Sequence, residues 1–531
     1  MRTELGDSRV YLVGGGIASL AAAVFLIRDA GLPGRNIRIL EAEDRLGGAL
    51  DGGRAPGGFP AYVTRGGRML EDEAYTCLWD LLGSLPTLGD PDISVLDEVK
   101  AFNENVPTEA RARLVGGDHT VLDCADLGLD LTDRLTLLHL LTLSESAIGA
   151  RRISDFFSEH FFASNFWALW RTTFAFQNWH SAIELKRYFL RFLQELPRIH
   201  TLSGVRRTRL NQYDSIVLPA RHWLAQHGVV VEHGVMVTDV EFSAFGDTRR
   251  AERIWFKRDD EPGYIDLRPQ DYAILTLGSM TADTAYGNDE HAPELIRDRR
   301  DGSWALWQAI ARKAPDFGRP LVFCADVDRS KWLSFTLTMR DPELLRRIES
   351  FSGNAAGTGA LMTFKDSPWL MSIVVPHQPH FADQDPSVRT LWGYGLFVDE
   401  PGDYVPASMA EATGRQILAE LLGQLGLRDE SGAIAAATRV TTVMMPYITS
   451  QFARRRPGDR PQVVPQAVEN FAFVGQFVEI PEDVVFTVEY SVRTAMHAVY
   501  ELFGVDRKIP PIYHALTDPK AAYHALQAIA A

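Results

Sequence analysis

The alternation of apolar and polar positions near the start of the chain predicts a strand, a tight turn and a helix. Val10–Val13 form an apolar run, three glycines follow, and an alanine- and leucine-rich stretch continues to about Arg28. Short apolar runs bounded by turn residues are typical of strands buried in a parallel sheet. A second apolar run, NIRILE, ends at Glu41. Together these segments predict a βαβ unit.

The turn between the first strand and helix has the glycine spacing of a dinucleotide-binding loop, with Ser19 at the last position. Gly14 permits the tight turn, and Gly16 lets the backbone approach a pyrophosphate at the helix N-terminus. The last position needs only a small residue, and Glu41 stands at a spacing that suits ribose hydroxyls. A glycine turn without a ligand is the alternative. We predict that Gly14, Gly16, Ala18, Ser19 and Glu41 bind a cofactor.

The next segment narrows the choice of nucleotide. Glu41 is followed by AEDRLGGALDGG and then by RGGR at 65–68. A glycine pair soon after the ribose acid, and then an arginine, is typical of two-dinucleotide-fold flavoproteins that bind FAD and atypical of plain NAD dehydrogenases. A flexible surface loop is the alternative. This interpretation adds Gly47, Gly48, Arg65 and Gly66 to the predicted FAD site.

The remaining apolar segments are scattered, as expected for a discontinuous domain. Residues 227–242 are predicted as two short strands, 272–280 as a strand ending in a polar loop, and 470–504 as a strand, a loop and a long helix. Such segments commonly contact the adenine, the pyrophosphate and the flavin. We therefore add the following residues to the predicted FAD site: Val237, Thr276, Gly278, Ser279, Phe486 and Thr487. A buried strand–helix pair far from any ligand remains the alternative for 470–504.

We accordingly predict an α/β fold with a discontinuous, Rossmann-like, two-dinucleotide-binding FAD domain and inserted mixed and helical substrate domains. The FAD domain takes 1–130, 206–294 and 441–531, the last with C-terminal helices. The helical substrate-binding region takes 131–205, and the mixed substrate-binding domain takes 295–440. The aromatic density of the helical region suits either an apolar ligand or an ordinary helical core.

Composition limits the function classes. Hydrophobic residues make up 46% of the 531 residues and charged residues 23%, as in ordinary globular enzymes. The net charge of −15 argues against non-specific binding of nucleic acid. Three cysteines without metal spacing predict neither a disulfide framework nor a metal site. No uncharged apolar run reaches the ~18 residues of a membrane span. We expect a cytoplasmic protein, and transient contact with a membrane surface stays open.

A series of segments, taken in order, resembles the oleate hydratases, a flavoprotein family also called myosin-cross-reactive antigens. The matching segments are GGGIASLAAA, RLGGALDGG, RGGR followed by CLWDLL, TTFAFQNWHSAIELKRY, LGSMT, QPHF with WGYGLF, MMPYITSQFARRRPGDRP and NFAFVGQFVEIPEDVVFTVEYSVRTA. The resemblance implies bound FAD and a long-chain unsaturated fatty acid substrate. It implies addition of water to the cis-9 double bond of oleic acid, giving 10-hydroxystearic acid without net redox change.

The resemblance also implies catalytic residues. Hydration of an isolated alkene needs a proton donor at one carbon and a base-activated water at the other. The family pairs a tyrosine donor with a glutamate that positions water. The matching tyrosine is Tyr188, for which a packed aromatic on an amphipathic helix is the alternative. The family commonly reads RGGRE, but this chain has Met69 at the acid's position, so Glu71 or Glu73 is expected to substitute.

The predicted substrate end of the site departs from the family as well. Many relatives carry a threonine and an asparagine where this chain has Val374 and Pro376. The fatty-acid carboxylate also needs a partner. The candidates are Gln378, His380, Thr449, Ser450 and an arginine such as Arg454. A lone histidine is more often a structural residue than a ligand-binding one, so a structural role is the favoured alternative for His380.

The sequence leaves two other functions open. One is a redox flavoenzyme of the amine oxidase or carotenoid desaturase type, which shares the N-terminal fold. The other is a non-catalytic lipid-binding flavoprotein, which loss of the acid at Met69 makes more credible. The short segments outside the family match and the charge of −15 favour a monomer.

Overall fold

The computed structural model describes residues 5–56, 61–67, 69–245 and 248–530. Arg68 of the RGGR motif lies outside the described residues. The strands are β1 Val10–Val13, β2 Ile37–Leu40, β3 Gly52–Arg54, β4 Tyr62–Thr64, β5 Leu70–Glu71, β6 Leu114–Val115, β7 Val205–Arg206, β8 Val230–Glu232, β9 Val235–Phe245, β10 Thr248–Arg258, β11 Glu261–Asp266, β12 Tyr272–Thr276, β13 Ala285–Gly287, β14 Trp332–Met339, β15 Met362–Phe364, β16 Met371–Val374, β17 Arg389–Gly395, β18 Thr438–Met445 and β19 Phe471–Val474.

The helices lie between these strands and in the stretch from 131 to 192, where the sequence predicts a helical region. They are α1 Ile17–Arg28, α2 Thr76–Leu82, α3 Val95–Asn105, α4 Leu131–Thr142, α5 Glu145–Ile148, α6 Glu159–Ala163, α7 Asn165–Phe174, α8 Ala182–Phe192, α9 Leu218–Gln226, α10 Ser303–Ala311, α11 Leu321–Cys324, α12 Val327–Ser330, α13 Glu343–Ser352, α14 Gly414–Gln424, α15 Ser431–Ala437, α16 Val488–Phe503 and α17 Pro519–Ala530. In the described part of the chain, no helix has the length and apolarity needed to cross a bilayer.

A parallel sheet in the order β19-β12-β1-β2-β8 forms the first layer of the fold. Its strands come from widely separated parts of the chain, which confirms the predicted discontinuous Rossmann-like domain. The apolar run of β1 is fully buried at the centre of the sheet, as expected for a parallel sheet that is covered on both faces. The strand ends therefore present the glycine turn, Glu41 and Thr276 at one edge.

Residues 227–242 form two strands, as predicted, but the second is longer than the sequence indicates. β9 runs to Phe245 because it pairs with β10 along its length, and β11 completes a separate antiparallel sheet. Only the first of the two strands, β8, joins the parallel sheet. The entry of β9, at Val235–Val237, lies beside the carboxyl end of β2, since the Val235 N–H donates to the Glu41 carbonyl.

A second, mixed sheet carries the strands of the predicted substrate domain, in the order β13-β18-β14-β17-β16-β15-β6. Its pairs are antiparallel except β15 with β6. One face packs on α13 and α14 around Leu333, Phe335 and Leu337. A separate cluster around Trp332 and Trp392 packs against Met69, Val374 and Phe486, and so joins this sheet to the FAD-type domain. The limits proposed for the individual domains stay a prediction.

The aromatic-rich helices form a packed layer next to both sheets. Trp170 of α7 stacks on Phe189 of α8 with ring centroids 4.5 Å apart, and Phe166 stacks on Trp170 at 5.7 Å. Offset aromatic pairs of this kind add stability beyond their buried area. Much of the aromatic density is therefore ordinary core. Tyr188, also on α8, lies at the border of that core, where a cavity begins.

Candidate functional site

The glycine turn lines a cleft of about 1300 Å³ at the carboxyl edge of the parallel sheet, named here the glycine cleft. Gly14 has a φ of +91°, a conformation that side chains disfavour. A Cβ on Gly15 would lie 2.4 Å from Leu46, whereas a Cβ on Gly16 would meet no described atom within 4 Å. Gly16 therefore borders open space at the start of α1, which is where a phosphate group is held in such folds.

Charged side chains complete the near walls of the glycine cleft. The Glu41 carboxylate accepts hydrogen bonds from the backbone N–H groups of Gly15, at 2.5 Å, and Glu43, at 2.8 Å. Arg65 is buried and donates to the Gly48 carbonyl at 2.6 Å. Its Nε is buried without a hydrogen-bond partner among the described residues. An unpaired buried donor is costly, so this wall suits an anionic or hydrogen-bond-accepting ligand.

The far wall of the glycine cleft is the N-terminus of α16 and the loop before it. Thr487 caps the helix by accepting a hydrogen bond from the Tyr490 N–H at 3.1 Å. Phe486 has a φ of +69°, and its N–H donates to the Gln476 side chain at 2.5 Å. The partial positive charge of a helix N-terminus favours electron-rich ligand groups there.

Most of the predicted cofactor residues meet in this one cleft. Those in its walls are Gly14, Gly16, Ala18, Glu41, Gly47, Gly48, Arg65, Val237, Thr276, Gly278, Ser279, Phe486 and Thr487. The described walls do not include Ser19 or Gly66. Ser19 is buried beneath the turn, with its Oγ 3.4 Å from the Thr276 Oγ1, as the packing role of a small residue requires. Gly66 lies in the wall of another cavity.

A second cavity, of about 700 Å³, surrounds Tyr188 and is named here the tyrosine cavity. The Tyr188 hydroxyl donates to the Val485 carbonyl at 2.6 Å, and the ring lies edge-on to Phe174 and Phe176. Burial raises the pKa of Tyr188 well above its ordinary value. The phenol therefore keeps its proton at neutral pH in a mostly aromatic environment, as a proton donor must.

Glu71 lies in the wall of the same cavity, within a cluster of carboxyl groups. Oxygens of Glu71, Glu73 and Glu195 all lie within 4.8 Å of one another. Arg198 supplies the positive charge, 3.6 Å from Glu73 and 3.8 Å from Glu71, and it also pairs with Glu195. Gln194 donates to Glu71 at 3.2 Å. Burial, and then the neighbouring Glu73, raise the pKa of Glu71 well above its ordinary value, toward the range that suits a base at neutral pH.

A third cavity, of about 730 Å³, lies on the other side of Met69 and is named here the arginine cavity. Its apolar walls include Leu361, Val374 and Trp392. Its described walls also carry seven polar or charged side chains, which are Thr64, Arg207, Thr208, Asn211, Gln212, His377 and His380.

The three cavities adjoin one another. The glycine cleft and the tyrosine cavity share Phe486, Thr487 and Val488. The tyrosine and arginine cavities share Gly67 and Met69. Met69 thus lies between two mostly apolar cavities, and Tyr188 lines the one that adjoins the glycine cleft.

The structure brings together three of the six predicted substrate residues. Val374, Pro376 and His380 line the arginine cavity. Gln378 instead donates to the carbonyls of Pro376 and Thr390, both at 2.9 Å. Thr449 and Ser450 are buried and lie outside the described walls of the three cavities. The Thr449 hydroxyl donates to the Ser330 carbonyl at 3.1 Å. The alternative arginine, Arg454, lines a separate surface cleft.

Several site residues escape sequence reasoning. Glu195 reaches the tyrosine cavity, and Arg207, Gln212 and His377 reach the arginine cavity, from outside the quoted motifs. Thr173 also lines the tyrosine cavity; it lies in the TTFAFQNWHSAIELKRY segment, but nothing in its spacing indicates a role. Their placement depends on packing between distant elements.

The fold and the glycine cleft define a protein of the two-dinucleotide-binding, Rossmann-like class. Solved structures with this fold include cyclohexylamine oxidase from Brevibacterium oxydans, with a TM-score of 0.52 and 13% identity over 94% of this chain and 99% of that one. Putrescine oxidase has a TM-score of 0.51 and 11% identity over the same shares. Likeness at this identity shows the fold alone.

Within that class, the chain belongs to the MCRA family, whose model matches residues 7–500. It is 38% identical to the oleate hydratase of Streptococcus pyogenes serotype M49, over 96% of this chain and 87% of that protein. It is 32% identical to the linoleate hydratase of Lactiplantibacillus plantarum, over 94% of each chain. The family resemblance inferred from the motifs is confirmed.

Proposed function

We propose that this protein is a fatty acid hydratase that adds water to the cis-9 double bond of oleic acid, giving 10-hydroxystearic acid without net redox change. One observation carries the proposal. A buried, protonated tyrosine, Tyr188, lines a mostly apolar cavity that adjoins both a dinucleotide-type cleft and a second mostly apolar cavity. The hydratase names of two relatives support the choice of substrate class.

The residues of the glycine cleft fit FAD. Gly16 leaves room for the pyrophosphate, and Glu41 would face the ribose. The Nε of Arg65, which has no hydrogen-bond partner among the described residues, would donate to the bound cofactor. The loop at Phe486 and Thr487 would hold the flavin ring, next to the tyrosine cavity. When bound there, the flavin supplies a planar electron-rich surface that stabilises positive charge nearby.

Tyr188 supplies the proton in this proposal. Its hydroxyl proton passes to C9 of the alkene, and positive charge develops at C10. The aromatic walls of the tyrosine cavity exclude stray water and stabilise that charge. The oxygen of one water then bonds to C10, and the proton this water releases restores the phenol through a base. Atoms balance as alkene plus water, and no electrons are gained or lost.

Glu71 is the base in this proposal, in place of the acid that Met69 lacks. Glu71 lines the same cavity as Tyr188, whereas Glu73 is exposed. Its raised pKa makes the ionised carboxylate a stronger base toward water than an ordinary glutamate. The neighbouring Glu195 and Arg198 then influence the charge state of Glu71. Met69 is an apolar part of the wall along which the substrate passes.

Product analysis tests the proposal. The purified protein is incubated with oleate, with and without reduced FAD, and the extracts are analysed by mass spectrometry. 10-Hydroxystearic acid is the expected product. An oxidised or desaturated product would instead indicate the redox flavoenzyme, and oleate bound but recovered unchanged would indicate a lipid-binding flavoprotein.

A further inference from the structure

Arg207 is the one charged side chain among the described residues that line the arginine cavity. The two histidines of that cavity are neutral. Burial, and then the charges of Arg207 and His377, lower the pKa of His380 to about 3. Burial also lowers the pKa of His377, helped by the nearby Arg209. The cavity thus carries a net positive charge with no acidic residue in its described walls.

The backbone of Arg207 is fixed, and no acidic group among the described residues pairs with its guanidinium. Its backbone is fixed at both ends, because the N–H donates to the Asn103 side chain at 3.0 Å and the carbonyl accepts from it at 2.8 Å. Its Nε is buried without a partner in the described part of the chain, as is Nδ1 of His377. Burial lowers the pKa of Arg207 to about 10, with no acidic group offsetting it. The neighbouring Arg206, in contrast, pairs with Asp72 at 2.7 Å.

Arg207 as a whole is half-buried, but its Nε is enclosed, and an enclosed donor without a partner costs stability that an accepting ligand recovers. A carboxylate does so best, because guanidinium presents a planar fork that matches its two oxygens. The tyrosine cavity has the opposite character, since Glu71 and Glu195 lie in its walls and Arg198 already pairs with Glu195. A fatty-acid anion would be repelled there. The two ends of the combined cavity therefore differ in charge, although both have apolar walls.

We propose that Arg207 is the counter-ion of the substrate carboxylate, with a hydrogen bond from His377. The acid end then occupies the arginine cavity, the chain passes Met69, and the apolar tail enters the tyrosine cavity. This inference rests on the proposed function for the identity of the ligand. Val374 and Pro376 offer no side-chain donor in the same wall, so a carboxylate partner has to come from another segment.

The test compares ligands that differ only in the head group. Binding of oleate, oleyl alcohol and methyl oleate to the flavin-loaded protein is measured below the micellar concentration. The variants are Arg207→Met, Arg207→Lys and, as a matched control, Arg209→Met. Arg209 is two residues away and exposed, and it lies outside the described walls of the cavity. Thermal melting checks folding, and Arg207→Met should melt close to the wild type because it removes a half-buried charge that has no acidic partner among the described residues.

We expect the wild type to bind oleate at least about tenfold more tightly than the alcohol or the ester. Arg207→Met should weaken oleate binding roughly 10- to 100-fold and leave the two neutral ligands within about threefold. Arg207→Lys should keep part of the preference for the acid, and Arg209→Met should keep all of it. In turnover, Arg207→Met should raise KM for oleate far more than it lowers kcat.

The inference is overturned if the wild type shows no preference for the acid, or if Arg207→Met retains it. The wild-type comparison does not depend on whether any variant folds. Binding also separates this inference from the proposed function. A protein that binds oleate through Arg207 but forms no hydroxy acid contradicts only the hydratase proposal. A hydratase whose oleate affinity and KM are unchanged in Arg207→Met contradicts only the assignment of Arg207.

Discussion

Replacing Tyr188 with phenylalanine removes one oxygen atom from the centre of the site. The ring of the substitute fills the same space between Phe174, Phe176 and Phe452, which surround Tyr188 at centroid distances of 5.1, 4.9 and 5.7 Å. Packing is therefore kept. What is lost is the proton donor and its hydrogen bond to the Val485 carbonyl.

The two losses have different sizes. The carbonyl left unpaired costs about 1 kcal/mol of stability, the usual value for one neutral hydrogen bond. Loss of a general acid lowers turnover by roughly 10²-fold or more. A matched control is Tyr490→Phe. The Tyr490 hydroxyl also donates to a buried carbonyl, that of Val478 at 2.7 Å, but it lies outside the described walls of the three cavities.

Hydroxy acid formed from oleate is measured by mass spectrometry, per mole of bound flavin, together with the melting temperature. Tyr490→Phe should lose more stability than Tyr188→Phe, because the Tyr490 hydroxyl also accepts a hydrogen bond from the Ile480 N–H at 2.9 Å. Tyr188→Phe should lose at least about 10²-fold in kcat, whereas Tyr490→Phe should stay within about threefold. Equal rates in Tyr188→Phe and the wild type would refute the assignment of Tyr188 as the proton donor.

Three further predictions concern the cofactor, the base and assembly. Gly16→Val places a side chain in the space left for pyrophosphate, so the purified variant should lack flavin absorbance; normal absorbance would contradict that placement. Because the pKa of Glu71 is raised and the base acts ionised, kcat should rise with pH through that raised pKa, and Glu71→Gln should abolish the rise; Met69→Glu should raise the rate only if Glu71 is not the base. Light scattering should give the 59.2 kDa of a monomer, and twice that mass at nanomolar concentration would contradict it.

The parallel sheet and the glycine cleft are predictable from sequence because local rules determine them. An apolar run, a glycine turn and an acid at the end of the next strand imply their own geometry. Thus Gly16, Glu41 and Thr276 meet as expected. β9 extends further than the pattern indicates, because its length is set by pairing with β10 and not by its own apolar residues.

The substrate side of the site could not be predicted to the same degree. Gln378 and His380 are two residues apart, yet Gln378 donates to backbone carbonyls while His380 lines the arginine cavity. Arg207 and Glu195 differ from many other charged residues only in their tertiary surroundings. Whether a charged side chain is neutralised depends on residues distant in sequence, and periodicity carries no information about that.

The central claim, that water is added to an alkene without redox change, is tested most directly with oxygen-18 water. The flavin-loaded protein is incubated with oleate in this solvent, and the product is fragmented by mass spectrometry. We predict 10-hydroxystearic acid with one oxygen-18 atom on C10, one solvent-derived hydrogen on C9, and an unchanged flavin oxidation state. A product without oxygen-18, or an oxidised fatty acid formed with reduction of the flavin, would contradict the account.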